Sequence, residues 1–301
     1  MASTPDADID VSSELVQRLL RDQHPELADL PLELVANGWD NTIYRLGRDL
    51  LVRVPRRQIA ATLIRNEQSW LAGIADRVNV PIPRPLRIGT PTPWFPWHWT
   101  ISTWFDGETA STVPRHARTE LAEPLATFLT QLHLPAPADA PVNPFRGIPL
   151  SQRDGDVSRR IASGHVPAAD AVTTVWRDAL AAPRWEGPPI WLHGDLHPAN
   201  LLMRNGELCA VLDFGDLTAG DPATDLAAAW LIFDRAGRER FFTAVASSHT
   251  VSTATWHRSR GWAVVLATAL LANSDDSAPS RHMGEETIAE VLSDEGSRIR
   301  R

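Results

Sequence analysis

Apolar positions recur along this chain with two different periods, and the order in which the periods appear sketches the architecture. Leu15, Val16, Leu19 and Leu20 repeat with helical spacing behind Ser12 and Ser13, either of which can cap, so a helix is predicted through Leu20. Short runs follow at Leu32 to Ala36, Thr42 to Leu46 and Leu50 to Val54, separated by the turn residues Asn37-Gly38 and Gly47-Arg48-Asp49. They read as three strands, the last ended by Pro55. An amphipathic helix is predicted over 58–76, carrying Ile64, Trp70, Leu71 and Ile74. Two more strands, Pro85 to Ile88 and Trp99 to Trp104, flank a turn rich in Trp and Pro, and Asp106-Gly107 then breaks the pattern as a linker.

Beyond the linker the helical period dominates. Leu121, Leu125, Phe128, Leu129 and Leu132 place one helix over 116–133, while the Pro- and Ala-rich stretch from Pro135 to Pro149 reads as an extended loop. Short strands at Ile190 to Leu192, Leu201 to Met203 and Ala210 to Leu212 surround a polar loop, and the chain from Asp225 to about Leu292 reads as mostly helix. The expectation is an α+β chain with two domains: a small antiparallel-sheet lobe at 1–105 and a larger, mainly helical lobe at 106–301.

Composition narrows the class. With 43% hydrophobic and 22% charged residues over 301 positions, the chain reads as a globular protein long enough for two lobes. A net charge of −8 and a pI near 5.7 argue against a nucleic-acid binder. No apolar stretch approaches the length of a membrane span, and Met1 to Asp10 is acidic and polar, so no membrane partner and a cytoplasmic location are expected. The single cysteine, Cys209, excludes an internal disulfide or a multi-cysteine metal site and reads as core. All 29 basic residues are arginine, so any role that a phosphate-handling enzyme gives to lysine falls to arginine here.

The chemistry lies in the polar loop. His193-Gly-Asp195 is followed by Asn200 in the spacing His-x-Asp-x-x-x-x-Asn, and Asp213-Phe214-Gly215 comes after the next apolar strand. Phosphoryl transfer needs little covalent help, so catalysis is positioning plus charge neutralisation. One carboxylate must face the incoming hydroxyl, while an amide oxygen and a second carboxylate hold a hard cation. A tight loop between strands is expected to bring Asp195, Asn200 and Asp213 to one side.

This run resembles the aminoglycoside and macrolide phosphotransferase family, which shares the protein-kinase fold and is also similar to choline kinases. The resemblance implies a bilobal kinase-like fold with Asp195 as catalytic base, Asn200 and Asp213 as Mg2+ ligands, and ATP or GTP as phosphate donor. It likens Asn37-Gly38-Trp39-Asp40-Asn41 to the loop over the nucleotide, with Asn41 at its end. Arg53 matches the cation on the α- and β-phosphates, and Glu67 its acidic partner. Thr103 and Phe105 match the connector whose backbone binds the purine. His193 is expected to brace the loop, His197 either to touch a phosphate or to cap a turn, and Asp225, in Gly220-Asp-Pro-Ala-Thr-Asp225, to act as a structural brace. Arg56 and Arg57 read as solvated or, at most, as a second phosphate screen.

The expected partners are a nucleotide and a small-molecule acceptor, on a monomer or weak homodimer. A polyammonium acceptor would want acids, for which Asp216, Asp234, Glu239, Asp275, Asp276, Glu285 and Glu286 are candidates. A macrolide would want apolar walls, which Trp230, Phe233, Trp256 and Trp262 could supply unless they are core. An antibiotic-type hydroxyl is the expected acceptor. A metabolic kinase of an amino alcohol or sugar, or a nucleotide-binding pseudokinase, is the alternative.

Overall fold

The computed structural model describes residues 6–38, 40–248, 250–273 and 277–294; Trp39, Asp275 and Asp276 lie outside them. Two compact units are present. One holds the chain up to Asp106 together with Ala210–Gly215, and the other holds Gly107–Cys209 with the chain from Asp216 onward. Ala210–Gly215, which the expected boundaries assign to the second domain, thus packs with the first.

In the first unit, helix α1 (Ser13–Gln23) is capped by Ser12, whose Oγ accepts from Leu15 N. Strands β1 (Leu32–Asn37), β2 (Asn41–Leu46) and β3 (Leu50–Pro55) lead into α2 (Gln58–Ala75), then β4 (Pro85–Gly89) and β5 (Trp99–Thr103). The five strands form one antiparallel sheet in the order β1-β2-β3-β5-β4. Val16, Leu19 and Leu20 of α1 pack with Tyr44, Leu46, Val52, Val54, Trp99 and Ile101 in a core that Phe95 completes. Helix α2 buries Ala60, Ile64, Leu71 and Ile74, and also the acid Glu67, while Trp70 is only half-buried. Gly89 lies under Trp99, whose ring atoms would stand 2.0 Å from an added Cβ, so no side chain fits between β4 and β5 there.

The second unit is mainly helical. It contains β6 (Glu108–Thr109), α3 (Ala122–Leu132), α4 (Asp154–Ala162), α5 (Ala169–Ala181), β7 (Ile190–Leu192), β8 (Leu201–Arg204), the start of β9 (Glu207–Val211) and β10 (Thr218–Gly220). Helices α6 (Ala223–Leu226), α7 (Ala228–Ile232), α8 (Arg235–Ser248), α9 (Thr253–Ala272) and α10 (Ala278–Ser293) follow. Asn205 and Gly206, both at positive φ, turn β8 into β9. Helix α9 is buried almost all round, from Trp262 to Leu271, as expected of the central helix of a core.

Several local expectations change. The helix read over 116–133 begins as a 3₁₀ segment, Arg115–Leu121. Arg115 and Arg118, three apart and therefore on one face of a 3₁₀ turn, are both buried and donate to the carbonyls of Trp230, Phe233 and Ile232. Cys209 is partly buried, not core. Trp230, Phe233 and Trp262 are fully buried, and Trp256 packs against Phe242 and Trp230, so these rings serve the core.

Arg258 of α9 grips Asp221 with two nitrogens at 2.6 and 3.1 Å, and both side chains are buried. Removing one member strands the other charge away from water. Arg258→Met should therefore destabilise the protein by about 3–5 kcal/mol in chemical denaturation; a change within the scatter of surface substitutions would show that the pair is already open to solvent.

Candidate active site

Asp195 is fixed at each of its polar atoms. Its backbone N–H donates to His193 Nδ1 at 3.2 Å, and its carbonyl accepts from Asn200 Nδ2 at 2.9 Å. Arg146 Nη2 lies 3.2 Å from Oδ1, and His197 Nε2 lies 3.4 Å from Oδ2. Because His193 Nδ1 and His197 Nδ1 both accept backbone N–H groups, each ring carries its proton on Nε2, which turns the His197 proton toward Asp195. Burial works against a charged Asp195, yet the contact with His197 and the Arg146 cation outweigh it and hold the carboxyl well below its ordinary range.

His197 caps the 3₁₀ turn Pro198–Asn200 through Ala199 N. The capping role read from the sequence is thus present, with the Asp195 contact in addition. The amide nitrogen of Asn200 is committed to the Asp195 carbonyl, so the atom it can offer a cation is its oxygen.

The loop is held from behind by Asp225, which is fully buried. Its Oδ2 accepts from His193 N and its Oδ1 from Gly194 N, both at 2.8 Å, and His133 Nε2 stands 3.1 Å from Oδ2. Gly194 has φ +89°, and a Cβ there would meet the Asp216 carbonyl at 2.4 Å. Only glycine fits that crossing.

Within the other unit, four of the sequence-derived residues come together. Arg53 of β3 pairs with Glu67 of α2 through Nη1 at 2.9 Å and with Asp213 through Nη2 at 2.8 Å. Asn41, with its amide oxygen turned toward the guanidinium to satisfy both groups, accepts from Arg53 Nε at 3.1 Å and Nη2 at 3.0 Å. Burial pushes the Glu67 carboxyl up, to about 7, against the pull of Arg53. Arg53 is held cationic: burial opposes its charge, but Glu67 and Asp213 outweigh it. Asp213 adopts φ +58°, a left-handed conformation unusual for a residue with a side chain, and its Oδ1 also accepts from Gly215 N at 3.3 Å.

Arg56 and Arg57 are not simply solvated. Arg56 donates to the Gly38 carbonyl and Arg57 pairs with Asp40, each at 3.0 Å, so both tie down the loop that ends at Asn41. Thr103 closes β5 opposite Leu50, and Phe105, half-buried, follows the strand.

Sequence reasoning missed Arg146 and Asn143, which sit in a stretch read as a plain loop, and His133, whose role depends on a partner 92 positions away. No local pattern marks any of them.

Taken each within its own unit, Asn200 presents an amide oxygen and Asp213 a carboxylate that is about half exposed, and each is the kind of hard donor a cation such as Mg2+ accepts. No cluster of three or more His, Cys, Asp or Glu that could hold a metal ion is present among the described residues. Among those residues no helix is long and apolar enough to cross a membrane.

The chain resembles several solved structures in fold. A GDP complex of wild-type aminoglycoside 2'-phosphotransferase-IIIa is 18% identical with a TM-score of 0.70, covering 94% of this chain and 99% of that one. Macrolide 2'-phosphotransferase MphH from Brachybacterium faecium, as apoenzyme, is 22% identical with a TM-score of 0.60, covering 91% and 98%. The streptomycin–ATP ternary complex of APH(2")-IIa is 17% identical with a TM-score of 0.58, covering 95% and 97%. No curated protein matches the chain. The fold is thus the α+β, kinase-like one, with an N-terminal antiparallel sheet and a mainly helical C-terminal part. Residues 31–262 match the profile of the Phosphotransferase enzyme family, APH, and the chain belongs to that family.

Proposed function

We propose that this protein is a small-molecule kinase that transfers the γ-phosphate of ATP or GTP to a hydroxyl of an antibiotic-like acceptor in the cytoplasm, inactivating it. The observation that carries the reading is Asp195: a carboxylate kept ionised and fixed at every polar atom, in a loop whose backbone is fastened by Asp225. A general base must be unprotonated and held in a fixed place, and the contacts to Arg146 and His197 meet both demands. In this reading Asp195 accepts the hydroxyl proton, Asn200 and Asp213 ligate magnesium, and Arg53, kept in place by Glu67 and Asn41, meets the phosphates. Thr103 and Phe105 offer backbone groups to the purine. Bound magnesium supplies neutralisation of charge on the phosphates.

Four of the five described acids considered for an ammonium-rich acceptor are engaged within the protein. Asp216 is held by Arg146 and Asn143, Asp234 accepts from Gly237 N, Glu239 pairs with Arg235, and Glu286 pairs with Arg115. Within the antibiotic-like class this favours an acceptor with few cationic groups, macrolide-like rather than aminoglycoside-like, and it also keeps a sugar kinase as the second reading.

A panel of macrolides, aminoglycosides, sugars and amino alcohols, incubated with ATP and with GTP and read by mass spectrometry, tests the proposal. One acceptor class should gain a single phosphate; nucleotide binding with no acceptor modified would favour the pseudokinase. Asp213→Ala should weaken magnesium-nucleotide binding by about 10–100-fold in calorimetric titration, the loss expected when a charged ligand of a bound cation is removed. Unchanged affinity would take Asp213 out of the metal site.

A further inference from the structure

We propose that Arg146 is a positioning residue for the transfer base, an arginine carried by a tethered arm, residues 141–147, that holds the Asp195 carboxylate in one orientation. The inference rests on the phosphotransferase reading of the site and adds to it a residue outside the loop motifs.

The arm has neither helix nor strand, yet it is fastened along its length. The Pro141 carbonyl accepts from Ala219 N and from Thr218 Oγ1, both at 3.1 Å, and Asn143 N donates to the same threonine oxygen at 2.9 Å. Asn143 Oδ1 accepts from Phe145 N at 2.8 Å. Gly147 N donates to Thr224 Oγ1 at 3.1 Å, and the Gly147 carbonyl accepts from Asp221 N at 3.1 Å. Gly147 has φ +69°, and a Cβ on Gly220 would stand 2.1 Å from the Gly147 carbonyl oxygen, so the arm and β10 cross where neither can carry a side chain. A connecting loop with no task would not need such closely specified anchorage.

The anchorage leaves Arg146 little slack. Its Nη2 bridges two carboxylates, 3.2 Å from Asp195 Oδ1 and 3.1 Å from Asp216 Oδ2. Asp216 is itself held on its other oxygen by Asn143 Nδ2 at 2.8 Å. Asp216 thus joins the Asn143 and Arg146 side chains of the arm, and Arg146 carries the connection on to Asp195 in the catalytic loop. Burial opposes the charge on Arg146, but Asp195 and Asp216 outweigh it. Without the cation, the Asp195 and Asp216 carboxylates would lose the charge they share, and the Asp195 side chain would rely on its contact to His197. The base would then be present but turned away from the geometry it needs, and a displacement of about 1 Å can cost about 100-fold in rate.

The test uses the full chain and the acceptor found in the panel. Arg146→Ala should lower kcat by about 30–100-fold with the nucleotide KM unchanged, and added guanidinium should restore several-fold of the loss. Arg146→Lys should lose about tenfold, because an ammonium cannot reproduce the fixed planar fork. Thermal melts of each variant give the folded fraction to which kcat is normalised. Wild-type kcat in Arg146→Ala, or a loss that tracks the folded fraction and does not respond to guanidinium, would overturn the proposal. Should Arg146→Ala fail to fold, Arg146→Lys decides, since a wild-type kcat there contradicts it equally. Wild-type protein that phosphorylates nothing in the panel is a separate outcome, which overturns the phosphotransferase reading and this proposal with it.

Discussion

Asp195→Ala is expected to reduce phosphate transfer by about a thousandfold while leaving magnesium-nucleotide binding as in the wild type, the size of effect seen when a general base is removed. The asymmetry follows from the contacts. Asp195 is fixed by His193, His197, Asn200 and Arg146, whereas Arg53, the group assigned to the phosphates, is held by Glu67 and Asp213. Its Oδ1 and Oδ2 are held by an arginine and a histidine, so alanine removes the carboxylate that this loop positions as acceptor of the hydroxyl proton. Steady-state kinetics on the accepted substrate and calorimetric titration of the nucleotide measure the two halves. Equal turnover in wild type and variant would move the base elsewhere; parallel loss of turnover and nucleotide affinity would mean that Asp195 serves binding.

The second large effect concerns stability. Asp225→Ala should cost about 3–5 kcal/mol, the range measured for breaking a buried charged partner, and should lower kcat in whatever protein remains folded. Both carboxylate oxygens accept from backbone N–H groups of the catalytic loop, and His133 adds a third donor. Each donor left unsatisfied in the interior costs about 1–3 kcal/mol. Water cannot readily repair the loss, because His193 and Asp225 are both fully buried, and Gly194, pressed against the Asp216 carbonyl, cannot move aside. Asp225→Asn keeps one accepting oxygen and should cost about half as much. A denaturation midpoint for Asp225→Ala close to that of wild type would show that the loop holds its shape without this anchor.

Much of the fold is legible in the sequence because its periods are clean. Leu32 to Val54 alternates between well-placed turn residues, and the apolar spacing of Gln58 to Ile74 admits only a helix; β1, β2, β3 and α2 lie where those patterns put them. The short strands β6 and β10 were not legible, since two or three residues carry no period, and their existence depends on partners distant in the chain. The 3₁₀ start at Arg115 escaped for a related reason: over seven residues a repeat of 3.0 cannot be told from 3.6.

The candidate site divides in the same way. Arg53 and Glu67 could be paired from their places on a strand and the next helix, and the structure puts them 2.9 Å apart. Asp195 and Asn200 stand out by spacing. Arg146 does not, because its importance comes from a loop docked onto β10 and α6 more than 70 residues later, through Thr218, Ala219 and Thr224. The same holds for Arg56 and Arg57, whose anchoring of Gly38 and Asp40 is a property of the folded loop alone. Acids proposed for the acceptor were visible as charges, but their engagement by Arg146, Arg235 and Arg115 was not.

The most direct measurement follows the γ-phosphate itself. In a ³¹P NMR time course with magnesium, nucleotide and the accepted substrate, the γ-phosphate resonance should give way to that of a phosphate monoester on the acceptor with wild-type protein, and persist with Asp195→Ala. Release of the phosphate only as inorganic phosphate, or ester formation at the same rate in both proteins, would contradict the account.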